Sequence, residues 1–178
     1  MFWKRKKKKP NEFTCTTCGQ VHTEWPALAF KAPFSYACLS DQAQKERAKL
    51  DTDFCEIRHD EQTDRFIRVI LTQKVNDHCS NLEYGMWVSL SKKSFFDYLE
   101  NFDNQNHETT YFGWLSNMIP EYDDTLHIPC NVMTKKGNTR PEIFPYDDHD
   151  NPFVKDYYNG ISKEEAQKRI DAMLNNVE

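Results

Sequence analysis

Glycine is scarce in this chain: there are five, and no two are neighbours or near neighbours. Isolated glycines cannot build a G-x-G-x-x-G turn or a Walker loop, so dinucleotide and nucleotide sites of those kinds are excluded. There is no G-x-S-x-G elbow and no H-E-x-x-H pair, which removes the usual serine-hydrolase and zinc-protease layouts. No apolar run approaches the roughly 20 residues of a membrane span. The start, Met1-Phe2-Trp3-Lys4, puts no apolar stretch behind its charges, so no secretory signal is expected. Six cysteines in such a chain point to reduced thiols or metal ligands in a cytoplasmic protein rather than to a disulfide framework.

What is present is a globular composition of 178 residues, 38% hydrophobic and 13% aromatic, enough for one domain with a sizeable core. Aromatic side chains are expected to supply much of its volume. The charge is uneven. Lys4 to Lys9 hold six of the 23 positive charges, which leaves 17 against 28 negative and a body near −11. An acidic body repels phosphate backbones, so nucleic-acid binding through it is not expected. Residues 1–12 read as a flexible basic arm, and residues 13–178 as a single domain.

Along the body, Ser40-Asp41 opens a helix expected to run to Leu50. Phe54–Arg58 and Arg65–Leu71 read as strands of a hairpin, and Tyr84–Leu90 as a third strand. Ser91 caps a helix whose Phe95, Tyr98, Leu99 and Phe102 form one apolar stripe, opposite Asp97, Glu100 and Asp103. After a polar loop comes an aromatic segment, Tyr111–Leu115, ending at Pro120. Thr125–Met133 and Arg140–Tyr146 read as a second strand pair. In the closing helix Ser162 and Glu165 form a capping box, and Ala166, Ile170, Met173, Leu174 and Val177 form the stripe. Strands joined by short turns pair antiparallel. The expected fold is therefore α+β: an antiparallel sheet with helices on one face and an N-terminal CxxC knuckle.

That knuckle is the sharpest local signal. Cys15-Thr16-Thr17-Cys18-Gly19 can aim two thiolates at one ion, and Gly19 eases the tight turn. His22 is a third candidate ligand, and Cys55 the favoured fourth, ahead of Cys38 and Cys79. The cofactor expected is a structural zinc ion. Inert buried thiols and a redox pair are the competing readings. Asp147-Asp148-His149-Asp150 has metal-binding or acid–base residue types, but Asp150-Asn151-Pro152 is equally a turn and helix start.

The order of motifs resembles a bacterial family known only as domain of unknown function 2199. It runs Phe13-x-Cys15-x-x-Cys18-Gly19-x-x-His22, Asp53-x-Cys55, Phe66-Ile67-Arg68 and Gly85-x-Trp87-Val88-Ser89-Leu90-Ser91. It continues with Phe112-Gly113-Trp114-Leu115, Pro120-x-Tyr122, Arg140-Pro141, Asp148-His149 and Gly160-Ile161. The resemblance implies a single folded unit and adds to the case for Cys15, Cys18, His22 and Cys55 as a ligand set. It implies no activity. Two departures are the basic arm and Asn151-Pro152-Phe153, where the family more often has His-Pro-Leu.

Three function classes follow. The favoured one is a non-enzymatic interaction protein, of the immunity or antitoxin type, that occludes a toxin partner. Its partner-binding candidates are Asp97, Glu100, Asp103 and Trp114. The alternatives are a metal-dependent enzyme with an open zinc site and a structural or regulatory zinc protein.

Overall fold

The computed structural model describes residues 12–14, 21–137 and 139–175, and of 12–14, 22, 23, 174 and 175 it describes the backbone alone. The expected knuckle at Cys15–Cys18 lies outside the described residues, as does the basic arm up to residue 11. Two short strands, β1 (Glu12–Thr14) and β2 (Val21–Thr23), pair antiparallel on their own.

Five strands make the body of the fold. These are β6 (Thr63–Gln73), β7 (Leu82–Leu90), β8 (Thr110–Leu115), β9 (Pro129–Met133) and β10 (Glu142–Pro145). Each pairs antiparallel with the next, and β10 returns to pair parallel with β6 at Glu142↔Ile70. The result is a mixed barrel, which corrects the antiparallel sheet expected from sequence. The reason is geometric. In an up-and-down meander of five strands the first and last run the same way, so closing the barrel requires a parallel pair.

Alternation then sorts the side chains. Ile67, Val69, Leu71, Leu82, Tyr84, Met86, Val88, Leu115, Cys130, Val132 and Ile143 are all buried in one core. Helices close both ends rather than one face. The helix α3 (Lys92–Glu100), capped by Ser91 Oγ accepting from Ser94 N, buries Phe95 and Tyr98 where β7 finishes. Phe95 meets Phe54 edge-on, with ring centres 5.8 Å apart. Leu99 was expected in this core but is exposed, because α3 rests on Phe95 and Tyr98 and turns Leu99 outward. At the other end lie α4 (Pro152–Asn159) and α5 (Lys163–Asn175). Asn151 caps α4 through Phe153 N, so Asp150–Pro152 forms the helix start that its residue types suggest. Ala166 and Ile170 are buried as expected and Met173 is half-buried, while the side chain of Leu174 lies outside the described residues. The capping box is half made. Ser162 Oγ accepts from Glu165 N, but the Glu165 carboxylate accepts from Arg169 Nε at 2.9 Å instead.

Outside the barrel, the stretch before β6 folds over one side. It contains β3 (Leu28–Ala29), α1 (Phe34–Ala37), α2 (Asp41–Arg47), β4 (Ala48–Leu50) and β5 (Phe54–Arg58). The helix expected to reach Leu50 ends at Arg47, because Ala48 and Leu50 pair with Ile57 and Cys55. This layer covers a second core of Cys55, Ile57, Phe66 and Trp87, packed by Phe30, Tyr36, Leu39 and Leu50. No described helix is long and apolar enough to cross a membrane.

Candidate functional site

The strands β8, β9 and β10 also have an outer side, and no layer of the described chain covers it. In β8 the inward residues are Tyr111, Gly113 and Leu115, so Thr110, Phe112 and Trp114 point out. The register sets Trp114 beside Pro129 and Phe112 beside Asn131, with Met133 beside Thr110. Phe144 of β10 lies beside Asn131, and Tyr146 follows the strand. Phe112 packs edge-on against Trp114 (centres 4.9 Å apart) and against Tyr146 (5.9 Å). Phe112 is 44% exposed, Trp114 42% and Met133 40%, values far above a core residue's and met here by three neighbours on one face.

Gly113 holds this face close to the barrel. A Cβ there would lie 2.9 Å from Val132 Cγ2 and 3.1 Å from Ser89 O, so any side chain would push β8 off its neighbours. Acidic residues border the face at Tyr146, where Asp147, Asp148 and Asp150 are exposed. Asp150 accepts from Lys155 Nζ at 2.6 Å, and that ammonium holds its carboxyl below the usual range.

The predicted partner-binding residues are divided. Trp114 lies on the aromatic face. Glu100 and Asp103 are exposed on and just beyond α3. Asp97 is partly committed to the fold, since it accepts from the Tyr111 hydroxyl at 2.6 Å, and His107 Nε2 stands 2.7 Å from the same hydroxyl. Phe112, Met133, Phe144 and Tyr146 escaped sequence reasoning. Their signal was present as an apolar residue at every position of Tyr111–Leu115, which gives a strand two apolar faces where one is usual.

Of the proposed metal ligands, Cys15, Cys18 and the His22 side chain lie outside the described residues. Cys55 is fully buried beside Ile57, Phe66 and Trp87, and burial pushes its thiol up to about 12. Among the described residues no three His, Cys, Asp or Glu side chains are grouped to hold a metal ion.

The fold and this face define a small mixed-barrel domain with an aromatic side that the described residues leave bare. The chain belongs to the family described as an uncharacterized protein conserved in bacteria, DUF2199, which matches residues 14–161. No curated protein and no solved structure matches it. Residues of four motifs that carry the resemblance meet at one point, where β5 leaves β6 and β10 joins it. Arg140 Nε donates to Asp53 Oδ1 at 2.6 Å, Arg68 N donates to Asp53 O at 2.9 Å, and the Arg68 guanidinium lies over Trp87. Their work is to bridge the two strands that share one edge of β6.

Proposed function

We propose that this chain is a non-enzymatic interaction protein that docks a partner protein on the outer face of β8, β9 and β10. The observation that carries the proposal is a contrast within one barrel. Among the described residues, outward Phe66 and Trp87 are covered by other parts of the chain, whereas outward Phe112 and Trp114 are not. A contiguous exposed aromatic patch is costly to leave in water and is the usual signature of an interaction surface. The partner's chemistry follows from the border: an apolar knob flanked by lysine or arginine, to suit Asp147 and Asp148. An inhibitor of the immunity or antitoxin type, covering a basic toxin site, is the form of this reading that the acidic body favours. The proposal includes a structural zinc ion on Cys15, Cys18, His22 and Cys55, supported by the CxxCGxxH spacing.

A photo-crosslinking residue placed at position 114, with position 61 as control, tests the docking surface in cells. A discrete adduct is expected from position 114 alone, competed away by excess native chain but not by the Phe112→Asp variant. The same adducts from both positions would overturn the proposal.

A further inference from the structure

A separate cleft of about 530 Å³ lies between β3, the 120–121 loop and α5. Its walls are apolar, formed by Leu28, Phe30, Pro120 and Met173. Two polar groups, Tyr84 and Arg169, also line it, and each is only 2% exposed. Arg169 Nε donates to Glu165, Nη1 to the Tyr84 hydroxyl at 3.2 Å, and Nη2 to the Tyr122 hydroxyl at 2.8 Å. A guanidinium has two hydrogens on each terminal nitrogen, so Nη1 and Nη2 each keep one without a described acceptor. The two tyrosines differ. Tyr122 accepts from Arg169 and passes its own proton to Asp156 Oδ2 at 2.7 Å. Tyr84 accepts from Arg169, but no described group accepts its proton. A buried hydroxyl donor left unmade costs about 1–3 kcal/mol, so the cleft offers donors that an acceptor would satisfy.

Charge decides what kind of acceptor. The positive groups at the cleft are Arg169 and Lys31. Against them stand Glu165 at 2.9 Å from Arg169, Asp156 at 3.9 Å, and Glu121 on the rim. Lys168 stands 3.8 Å from Glu165, so the charges around the cleft balance, and Arg169 already has two carboxylates within 4 Å. A ligand carboxylate would therefore lose its hydration for no net attraction, while a neutral carbonyl would take both hydrogen bonds without that penalty. The volume falls within the roughly 300–1,000 Å³ of small-molecule sites, and an apolar wall with a few convergent polar groups is their usual make-up.

We infer that this cleft binds a small, uncharged, apolar molecule carrying a carbonyl group. The oxygen accepts from Tyr84 and Arg169, and the hydrocarbon lies along Leu28, Phe30 and Met173. The site is distinct from the aromatic face and does not depend on it.

Calorimetric titration of the full chain with octanamide, and in parallel with octanoate, tests this. Saturable binding of octanamide is expected, with octanoate at least about tenfold weaker. Tyr84→Phe, which keeps the ring and removes the donor, should weaken octanamide about tenfold. Ala172→Trp fills the cleft from an exposed helix position, spares both polar groups, and should abolish binding of either probe. Thermal melts of each variant separate lost binding from lost folding, and Trp114→Ala should bind octanamide as the native chain does. The inference is overturned by octanoate binding as tightly as octanamide. It is equally overturned by a folded Tyr84→Phe chain of unchanged affinity, or by no saturable binding of octanamide up to its solubility limit.

Discussion

The side chain of Asn117 accepts from the backbone N–H of Trp87 at 2.7 Å, thirty residues away in the chain. Its amide nitrogen donates to Ala32 O at 2.9 Å, while Thr125 Oγ1 donates to Asn117 O at 2.8 Å. On this edge of β7 the strand is paired first by β3, at Tyr84 and Gly85, and then by β8, from Val88 onward. Trp87 falls at the changeover, where its N–H would otherwise be buried without a partner. Asn117 supplies the missing acceptor and ties the covering layer to the barrel. Asn117→Ala should therefore lower stability by about 2–4 kcal/mol, as the buried Trp87 N–H and the half-buried Ala32 carbonyl lose their partner. Urea denaturation gives the value, and a loss under about 1 kcal/mol would show that the changeover is held some other way.

The two ends of one helical stripe should respond differently to truncation. Phe95 is buried between Phe54 and the barrel core, so Phe95→Ala should cost about 3–5 kcal/mol. Leu99 is exposed at the rim of a hollow between α3 and β4, so Leu99→Ala should change stability by no more than about 0.5 kcal/mol. Paired denaturation curves check the contrast.

That contrast marks the limit of what the residues alone reveal. Local patterns were legible: the β5–β6 hairpin, β7, the caps at Ser91 and Ser162, and the strand pair β9–β10 all follow from spacing and turn chemistry. A stripe at helical spacing shows which face is apolar but not how much of it a curved barrel end will cover, and Leu99 fell on the wrong side of that line. β8 was hidden because its outward residues are as apolar as its inward ones. Ala48–Leu50 continues a helical pattern, and only pairing with β5 makes it a strand. Barrel closure left no pattern, since it rests on backbone contacts such as Ile70 N donating to Pro141 O, between segments far apart in sequence. The Tyr84–Arg169 contact is equally distant, and its charged member reads as one more polar residue on α5.

Two thiols should be silent at mildly alkaline pH. Burial pushes Cys55 and Cys130 up to about 12, whereas Cys38 is exposed. Alkylation at pH 8, followed by peptide mass spectrometry, should label Cys38 and leave Cys55 and Cys130 unmodified until the chain is unfolded. The linkage has a definite sign. A thiol whose pKa is raised in the folded state favours folding fully below its unfolded value of about 8.5 and loses that contribution as pH rises toward 12. Stability should therefore fall through this window by up to about 1.4 kcal/mol per pH unit from Cys130, the buried thiol that lies outside the proposed zinc ligand set.

Zinc makes a separate prediction. Protein purified without added metal should carry about one zinc per chain, and Cys15→Ser should lose it together with part of the folding stability. Elemental analysis decides the matter. Less than about a tenth of an equivalent in the native chain would remove the site, and undiminished zinc in Cys55→Ala would remove Cys55 from it.

Charge at the border should act on rate. Reversing Asp147 and Asp148 to Lys should slow association with the partner, and the native rate should fall as salt rises through the physiological range. Stopped-flow binding at low and high salt measures both, and a salt-independent native rate would take these carboxylates out of recognition.

The most direct test is the affinity of the crosslinked partner, once purified, for Trp114→Ala. Truncating Trp114 removes a half-exposed ring and should change stability by no more than about 1 kcal/mol. At the centre of an interface the same change should cost about 2 kcal/mol or more, a loss of roughly thirtyfold in affinity. A folded Trp114→Ala chain that binds thirtyfold more weakly is the result predicted. A folded variant that binds as tightly as the native protein would contradict the assignment of the β8–β10 face as the docking surface.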